Sequence, residues 1–337
     1  MRTTDLSTPA LLVDVDVLHA NLTTMAAAHP GARLRPHVKA HKCTALAAAQ
    51  IGHGHRTFTC ATPREVAGLV AAGVGDDLLL ANESLDPRRL ATLAALADRA
   101  RITVAVDSSE TIAAAARAGL RYVLVDVNVG LPRCGCTPER AGTLADQARR
   151  AGLTVRGVMG YEGHLMGVVD RAERTARLRV SVDTMLATHA EVGGDIVSMG
   201  GTGTYDLHDE RVTEIQAGSY ALMDTHYARL GLPFDQALTV LGTVISVGAR
   251  WAVADVGLKA LGMDHGDPAI PGATVRFCSD EHITFTPAEG GAAVRVGDRV
   301  RVVPAHVDPT MALHERLHLV RGDEVLDTWA IDLRGWD

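Results

Sequence analysis

The stretch TFTCATPREVAGLVAAGVGDDLLLANE, residues 57–83, holds two short apolar runs with a helical pattern between them. TFTCAT and DLLLANE have the length and composition of buried strands, and PREVAGLVAAGV spaces its apolar residues as a helix does. A strand, a helix and a second strand in this order form a βαβ unit with parallel strands. The stretch therefore predicts an α/β fold.

The same alternation continues on both sides of this stretch. Nine candidate strands, separated mostly by Ala-rich helical patterns, lie at 11–17, 34–40, 57–62, 77–83, 101–107, 122–130, 154–163, 196–203 and 214–220. Eight such strands close a TIM (β/α)8 barrel, so one strand is in excess. We assign the excess to 11–17, which follows the N-terminal tail.

The pattern changes beyond about residue 235. Val-rich segments punctuated by Gly and Pro replace the helical patterns, which is typical of an antiparallel β domain. We predict a barrel over residues 18–235. The second domain would comprise the C-terminal residues 236–337 and residues 1–17, whose extra strand would join its sheet.

Composition argues against several classes of protein. The 337 residues carry a net charge of −7, and 47% of them are hydrophobic. Nucleic-acid binding usually requires a basic surface, and no apolar run reaches the ~20 residues of a membrane span. The N-terminus lacks an apolar signal core, so we expect a cytoplasmic protein whose cysteines are reduced thiols.

Polar residues stand where the predicted barrel strands end, which is where TIM-barrel active sites form. Lys39 closes the first barrel strand, and Arg133 follows the fifth. Tyr161 and His164 follow the sixth. These four residues are therefore candidates for a single site.

Two glycine-rich turns, GGTGT at 200–204 and AGSY at 217–220, follow the seventh and eighth strands. Turns in this position often bind phosphate, because glycine lets backbone N–H groups approach the anion. Each could instead be a tight turn that needs glycine for a positive φ. A phosphate site together with a lysine at a strand end suggests pyridoxal phosphate (PLP), which needs an amine partner and a phosphate anchor.

Lys39 belongs to RPHVKAHK, residues 35–42, a cluster of three basic side chains and two histidines. The cluster alone is compatible with a phosphate grip, a nucleic-acid patch, a metal site or a catalytic lysine. Strand geometry predicts that His37 and His41 share the face of Lys39. A buried lysine is costly without a function, whereas a strand-end lysine can reach solvent.

The chain resembles the fold-type III, alanine-racemase-like PLP enzymes, in the branch of D-threonine aldolases and D-serine dehydratases. The resemblance extends along the whole chain and rests on motifs that occur in order: TPALLVDVDVLHANL (8–22), RPHVKAHK (35–42), DVNVGLPRCG (126–135), GYEGH (160–164), GGTGTYD (200–206), EIQAGSYALMD (214–224), DVGLKALGMDHGDP (255–268), SDEH (279–282) and VVPAHVD (302–308).

The resemblance implies a role for each candidate. Lys39 matches the lysine that binds PLP covalently, Arg133 matches an arginine near the cofactor's ring oxygen, and Tyr161 matches a residue beside cofactor and substrate. The residues that match the phosphate loops are Gly201, Thr202, Gly203, Thr204, Gly218, Ser219 and Tyr220.

His306 and Asp308, spaced H-x-D, match the paired metal ligands of this branch. The related dehydratases usually carry cysteine at the second position. Imidazole with carboxylate favours Mn²⁺, with Mg²⁺ or Zn²⁺ as alternatives. Apart from the resemblance, His306 could be a loop histidine and Asp308 a turn former.

The reaction that the resemblance implies is aldolase cleavage of a D-3-hydroxy amino acid such as D-threonine into glycine and an aldehyde. His164 is the candidate base, and a structural role is its alternative. D-serine or D-threonine dehydratase is the alternative activity, and a racemase or a non-catalytic vitamin B6-binding protein fits the motifs less well. The resemblance also implies a homodimer with shared active sites.

Overall fold

The computed structural model describes residues 1–290 and 293–336. Strands and helices alternate through the first two thirds of the chain: β1 (Ala10–Asp14), α1 (Val15–Ala28), α2 (Thr44–Gly52), β2 (Thr57–Cys60), α3 (Pro63–Ala72), β3 (Asp77–Leu80), α4 (Pro87–Ala94), β4 (Arg101–Val106), α5 (Ser109–Arg117), β5 (Tyr122–Asp126), α6 (Pro138–Arg150), β6 (Thr154–Met159), α7 (Arg171–Val192), β7 (Ile196–Met199) and β8 (Glu214–Ile215). Strands dominate thereafter: α8 (Thr225–Ala228), β9 (Leu238–Val247), β10 (Ala252–Ala254), β11 (Ala273–Cys278), β12 (Ile283–Pro287), β13 (Arg299–Val302), α9 (Val307–Leu313), β14 (Arg316–Arg321) and β15 (Glu324–Ala330).

Helix α3 shows how local sequence sets these boundaries. The Thr62 side chain accepts the backbone N–H of Glu65, and Pro63 begins the helix, where its missing N–H costs nothing. Gly73 ends the helix with a φ of 68°, in the left-handed region that favours glycine. The predicted βαβ unit over 57–83 is confirmed.

Strands β2 to β8 form a parallel sheet in sequence order. Residues 34–37 join its two edges, because Leu34 bridges Ile215 of β8 and His37 bridges Thr59 of β2, both in parallel. The backbone N–H of His37 also donates to the carbonyl of Ala217 at 3.0 Å. The predicted barrel is confirmed, and its eighth strand position is occupied by this short segment.

The predicted strand 34–40 is wrong at its C-terminal end. Val38–Ala40 form a 3-10 helix, so Lys39 lies in a turn rather than on a strand. The Nδ1 atom of His37 accepts the backbone N–H of Lys39 at 3.4 Å, and such local hydrogen bonds compete with sheet pairing. The alternation of side chains along a strand therefore ends at His37. It does not extend to Lys39 and His41, which the sequence predicted to share one face.

The second sheet has the strand order β11-β12-β10-β9-β1-β14-β15, and β13 also pairs with β9. Strand β1 lies antiparallel to β9 and parallel to β14, where Leu11 faces Leu317. The prediction that the extra N-terminal strand joins the C-terminal sheet is confirmed. Among the described residues of this sheet, β1 and β14 form the one parallel pair of strands.

Backbone proximity divides the chain into two compact units. The β unit comprises Met1–Thr24, Ala40–Ala45 and Ser219–Asp332, and the barrel unit comprises Met25–Lys39, Leu46–Gly218 and the piece that begins at Leu333. The domain boundaries expected after residues 17 and 235 remain a prediction. In the described part of the chain, no helix has both the length and the apolarity to cross a membrane.

A buried ionic cluster, the barrel floor, lies near the N-terminal ends of the barrel strands. The Arg35 guanidinium, 2% exposed, donates to Glu214 at 2.8 Å and to Asp77 at 3.2 Å. Arg156 donates to the other oxygen of Asp77 at 2.7 Å. Burial alone would favour the neutral carboxyl, yet the pKa of Asp77 is lowered because Arg156 and Arg35 outweigh it.

Candidate active site

Three of the predicted cofactor residues come together in the barrel unit. The guanidinium carbon of Arg133 lies 5.6 Å from the ring centroid of Tyr161. Tyr161 also packs on Gly201, where an added Cβ would lie 3.1 Å from the tyrosine ring. The loops that follow β5, β6 and β7 therefore converge, as expected for the C-terminal end of a parallel barrel. Arg133 and Tyr161 line one small cavity with Asp126 and Asn128.

Lys39 lies in the 3-10 helix that directly follows the segment closing the barrel, and it is partly buried. His37, next to it, is partly buried too. Lys39 and Arg35 of RPHVKAHK therefore differ in environment, because Arg35 belongs to the barrel floor.

The His164 ring packs against the backbone of Gly130, where a side chain would not fit. It lies in a 3-10 helix, Gly163–Leu165, and a Cβ on Gly130 would lie 2.7 Å from its Cε1 atom. Gly130 also has a φ of 130°, which side chains disfavour. Burial and the nearby Arg177 lower the pKa of His164 below the ordinary value of 6.5. The neutral imidazole, which can accept a proton, is therefore favoured at neutral pH.

The 200–204 turn is fastened by a buried group that we call the loop anchor: Glu162, Thr204 and His208. The Thr204 hydroxyl donates to Glu162 at 2.6 Å, and Nε2 of His208 lies 3.0 Å from the same oxygen. The backbone N–H of Gly200 donates to the other oxygen at 3.3 Å. Burial opposes ionisation of Glu162, yet its pKa is lowered because His208 and these hydrogen bonds outweigh burial.

The two cysteines near Arg133 remain thiols. Burial, with Glu83 next in importance, raises the pKa of Cys134 to about 11. Burial, with Asp126 next, raises the pKa of Cys136 to about 12. Neither supplies the thiolate that nucleophilic chemistry requires.

The predicted metal ligands lie together in the β unit. His306 precedes α9, and Asp308 is in its first turn. The Nε2 atom of His306 is 3.7 Å from Oδ2 of Asp308. Two ligand atoms that are each about 2.1 Å from one ion lie roughly 3 to 4 Å apart, so this pair fits a shared divalent metal.

Asp264 fixes the orientation of His306. The Nδ1 atom of His306 lies 2.9 and 2.8 Å from the two carboxylate oxygens of Asp264. A carboxylate only accepts hydrogen bonds, so Nδ1 carries the proton, and Nε2, the nitrogen on the side of Asp308, is the one that could bind a metal. Asp264, His265 and His306 also offer ligand atoms within 4.8 Å of one another, and the His265 ring stacks on His306 at 3.8 Å.

Sequence reasoning missed Asp264, His265, Glu162 and His208. Asp264 and His265 are adjacent in DVGLKALGMDHGDP, and an Asp-His pair in a motif was a usable signal. Glu162 stands inside GYEGH, between Tyr161 and His164. No spacing pattern singles out His208.

The predicted phosphate residues of the second loop are buried. Ser219 donates to Oδ2 of Asp308 at 3.4 Å, which links a predicted cofactor residue to a predicted metal ligand. Tyr220 is fully buried and packs against Phe234 with ring centroids 5.7 Å apart. Gly218 is buried as well.

Comparison with known proteins places this architecture in a family. The model of the alanine racemase N-terminal domain matches residues 13–226, and that of a putative serine dehydratase domain matches residues 237–320. The chain belongs to the alanine racemase N-terminal domain family, joined here to a domain like that of the serine dehydratases. The resemblance to fold-type III PLP enzymes is thereby confirmed.

Individual relatives narrow the comparison. The chain is 38% identical to a D-threonine aldolase of Arthrobacter sp over 98% of this chain and 93% of that protein. It is 33% identical to a 3-hydroxy-D-aspartate aldolase of Paracoccus denitrificans, over 99% and 94% respectively. The crystal structure of D-threonine aldolase from Filomicrobium marinum superposes with a TM-score of 0.93 at 35% identity, covering 98% of this chain and 96% of that one.

Proposed function

We propose that this protein is a PLP- and divalent-metal-dependent aldolase that cleaves D-3-hydroxy amino acids, such as D-threonine, to glycine and an aldehyde. The observation that carries the proposal is the His306–Asp308 pair, with Nε2 of His306 facing the carboxylate 3.7 Å away. Relatives with aldolase activity that match over nearly the whole chain support it.

The barrel unit supplies residues suited to PLP. Lys39 would hold the cofactor covalently through its amine, and Arg133 and Tyr161 would contact its ring. The phosphate would be bound by the two loops, whose residues are Gly201, Thr202, Gly203, Thr204, Gly218, Ser219 and Tyr220. Glycine at 201 suits this role because a side chain there would press on Tyr161. PLP, when bound, supplies an electron sink for the carbon–carbon bond that breaks.

The metal would be held by His306 and Asp308, with Asp264 orienting the histidine. A mixed imidazole and carboxylate set favours Mn²⁺, with Mg²⁺ or Zn²⁺ as alternatives. Such an ion would supply Lewis-acid chemistry, which would lower the pKa of the hydroxyl on the substrate's Cβ.

His164 would accept the proton of that hydroxyl. Its lowered pKa keeps the imidazole neutral and ready to act as a base. Tyr161, stacked with Arg133, would fix the position of cofactor and substrate. The alternative for His164 is a structural role, in which the ring only fills the space beside Gly130.

Product analysis tests the proposal. Purified protein with PLP, Mn²⁺ and D-threonine should yield glycine and acetaldehyde, and Asp308→Ala should abolish the metal-dependent part of the rate. L-threonine is the control substrate and should not react.

A dehydratase is the second candidate, supported by the serine dehydratase domain that matches residues 237–320. It would release ammonia and 2-oxobutyrate from D-threonine. Those products would contradict the aldolase proposal. Aspartate at position 308, where the dehydratases usually carry cysteine, favours the aldolase.

We also infer that the protein is a homodimer with shared active sites, as the resemblance implies, and that it works in the cytoplasm on a small-molecule substrate. Sedimentation of the active enzyme tests the first point. A fully active monomer would contradict it.

A further inference from the structure

The loop anchor is a costly arrangement. Glu162 is fully buried, and the side chain of His208 is fully buried with it. Moving an ionised carboxylate such as Glu162 out of water is costly, and good hydrogen-bond geometry must offset that cost. A hydrophobic pair of similar size would serve stability as well, so the arrangement calls for another explanation.

The anchor imposes a direction on the hydrogen bonds of the 200–204 turn. An ionised carboxylate can only accept, so the Thr204 hydroxyl must donate to Glu162. The oxygen of that hydroxyl is then an acceptor, and it receives the backbone N–H of Gly201 at 3.2 Å. The N–H of Thr204 donates back to the carbonyl of Gly201 at 3.2 Å. Thr202 and Gly203 therefore lie between Gly201 and Thr204, which these hydrogen bonds join.

His208 fixes the carboxylate of Glu162 from a second side. Its Nε2 atom lies 3.0 Å from the oxygen that accepts the Thr204 hydroxyl. Gly200 adds another fixed point, since its N–H donates to the other oxygen of the same carboxylate at 3.3 Å. One buried carboxylate therefore fixes both ends of the turn.

We propose that Glu162 and His208 are positioning residues that hold the 200–204 turn in the shape that receives the cofactor's phosphate. The proposal rests on the proposed function, because it takes PLP as the ligand of this turn. Neither residue need touch the cofactor: both act through Thr204 and the backbone of Gly200 and Gly201.

The test compares PLP with pyridoxal, which has the same aldehyde and ring but no phosphate. Apo-protein is titrated with each compound, and binding is followed by absorbance. Glu162→Gln should weaken PLP binding at least about tenfold, the equivalent of one charge-assisted hydrogen bond. Pyridoxal binding should be unchanged, so the preference for PLP over pyridoxal falls by the same factor. His208→Gln should act in the same direction.

Glu214→Gln is the matched control, since Glu214 is another buried carboxylate of the barrel unit, paired with Arg35. It should lower stability and leave the preference for PLP intact. If Glu162→Gln weakens both ligands equally, the anchor serves only the fold and the proposal is overturned. Should Glu162→Gln not fold, Thr204→Val replaces the hydroxyl that donates to Glu162 by a methyl group and should lower the preference for PLP, which Thr204→Ser should restore.

Failure of the proposed function gives a different result. In that case the unaltered protein would bind PLP no better than pyridoxal, and Lys39→Ala would leave the absorbance of bound PLP unchanged. If the unaltered protein prefers PLP over pyridoxal and Glu162→Gln loses that preference, the positioning role is supported.

Discussion

Arg35 and Glu214 form a buried ion pair, with Nε of the guanidinium 2.8 Å from the carboxylate. Arg35 belongs to the same basic segment as Lys39, yet its guanidinium is paired with Glu214 and Asp77 in the barrel floor. RPHVKAHK therefore serves two purposes, since its first residue stabilises the fold and Lys39 stands where cofactor chemistry is expected.

Removing the Arg35 guanidinium should destabilise the protein strongly. Arg35→Ala leaves Glu214 buried without its cation, a change that costs about 3–5 kcal/mol. Chemical denaturation measures the loss. Arg56→Ala is the control, because the Arg56–Asp76 pair is exposed and should matter little. Equal losses in the two variants would contradict a special role for the barrel floor.

Asp264 should control metal affinity without affecting PLP. Asp264→Asn weakens the hold on Nδ1 of His306, and loss of such an outer partner typically costs 10–100-fold in metal affinity. Calorimetric titration with Mn²⁺ gives the affinity, and absorbance reports bound PLP. Asp308→Ala should lose more metal affinity than Asp264→Asn. A variant Asp264→Asn that binds Mn²⁺ normally would rule out the orienting role.

The pH profile should reveal His164 as the base. Because its pKa is lowered in the folded protein, the imidazole stays neutral to a pH below the ordinary 6.5. Activity should therefore persist below pH 6.5 and decline only as the imidazole gains its proton. The rate profile of kcat/KM against pH measures the midpoint. In His164→Asn this acidic limb should vanish along with most of the activity, and its persistence would assign it to another group.

Gly130→Ala should damage activity beyond its effect on stability. The new methyl would press on the His164 ring, and the positive φ adds strain of about 1–3 kcal/mol. Gly54→Ala is a matched control, since Gly54 has a φ of 97° and open space around its Cβ position. Both variants should lose stability in denaturation, but only Gly130→Ala should lose kcat. Unchanged kcat in Gly130→Ala would mean that the ring position is unimportant.

The fold could be predicted because its signals are local. Strand–helix alternation over 57–83 and beyond identifies a parallel barrel, and a surplus strand at the N-terminus indicates the second sheet. The predicted strand 34–40 ends early because Val38–Ala40 form a 3-10 helix, in which the Lys39 N–H donates to the His37 ring. The strand propensity of the individual residues does not predict such a local contact.

The site was only partly predictable for a related reason. Lys39 and the His306–Asp308 pair stand in compact motifs, whereas Asp264 reaches His306 from a distant part of the chain. His208 likewise meets Glu162 across 46 residues of sequence. The fold brings such partners together, and no motif or regular spacing in the sequence identifies them.

The short closure of the barrel at residues 34–37 has a consequence for dynamics. The seam between β8 and β2 consists of single bridges at Leu34 and His37 and three backbone hydrogen bonds, donated by Arg35, His37 and Thr59, whereas β3, β4 and β5 pair in ladders of four residue pairs. Local opening should begin at this seam, where amide hydrogen exchange would be fastest among the barrel strands. A ligand held by Lys39, directly beyond the seam, would bind only the closed form and so protect it by mass action. Cofactor occupancy would then set how often the barrel opens.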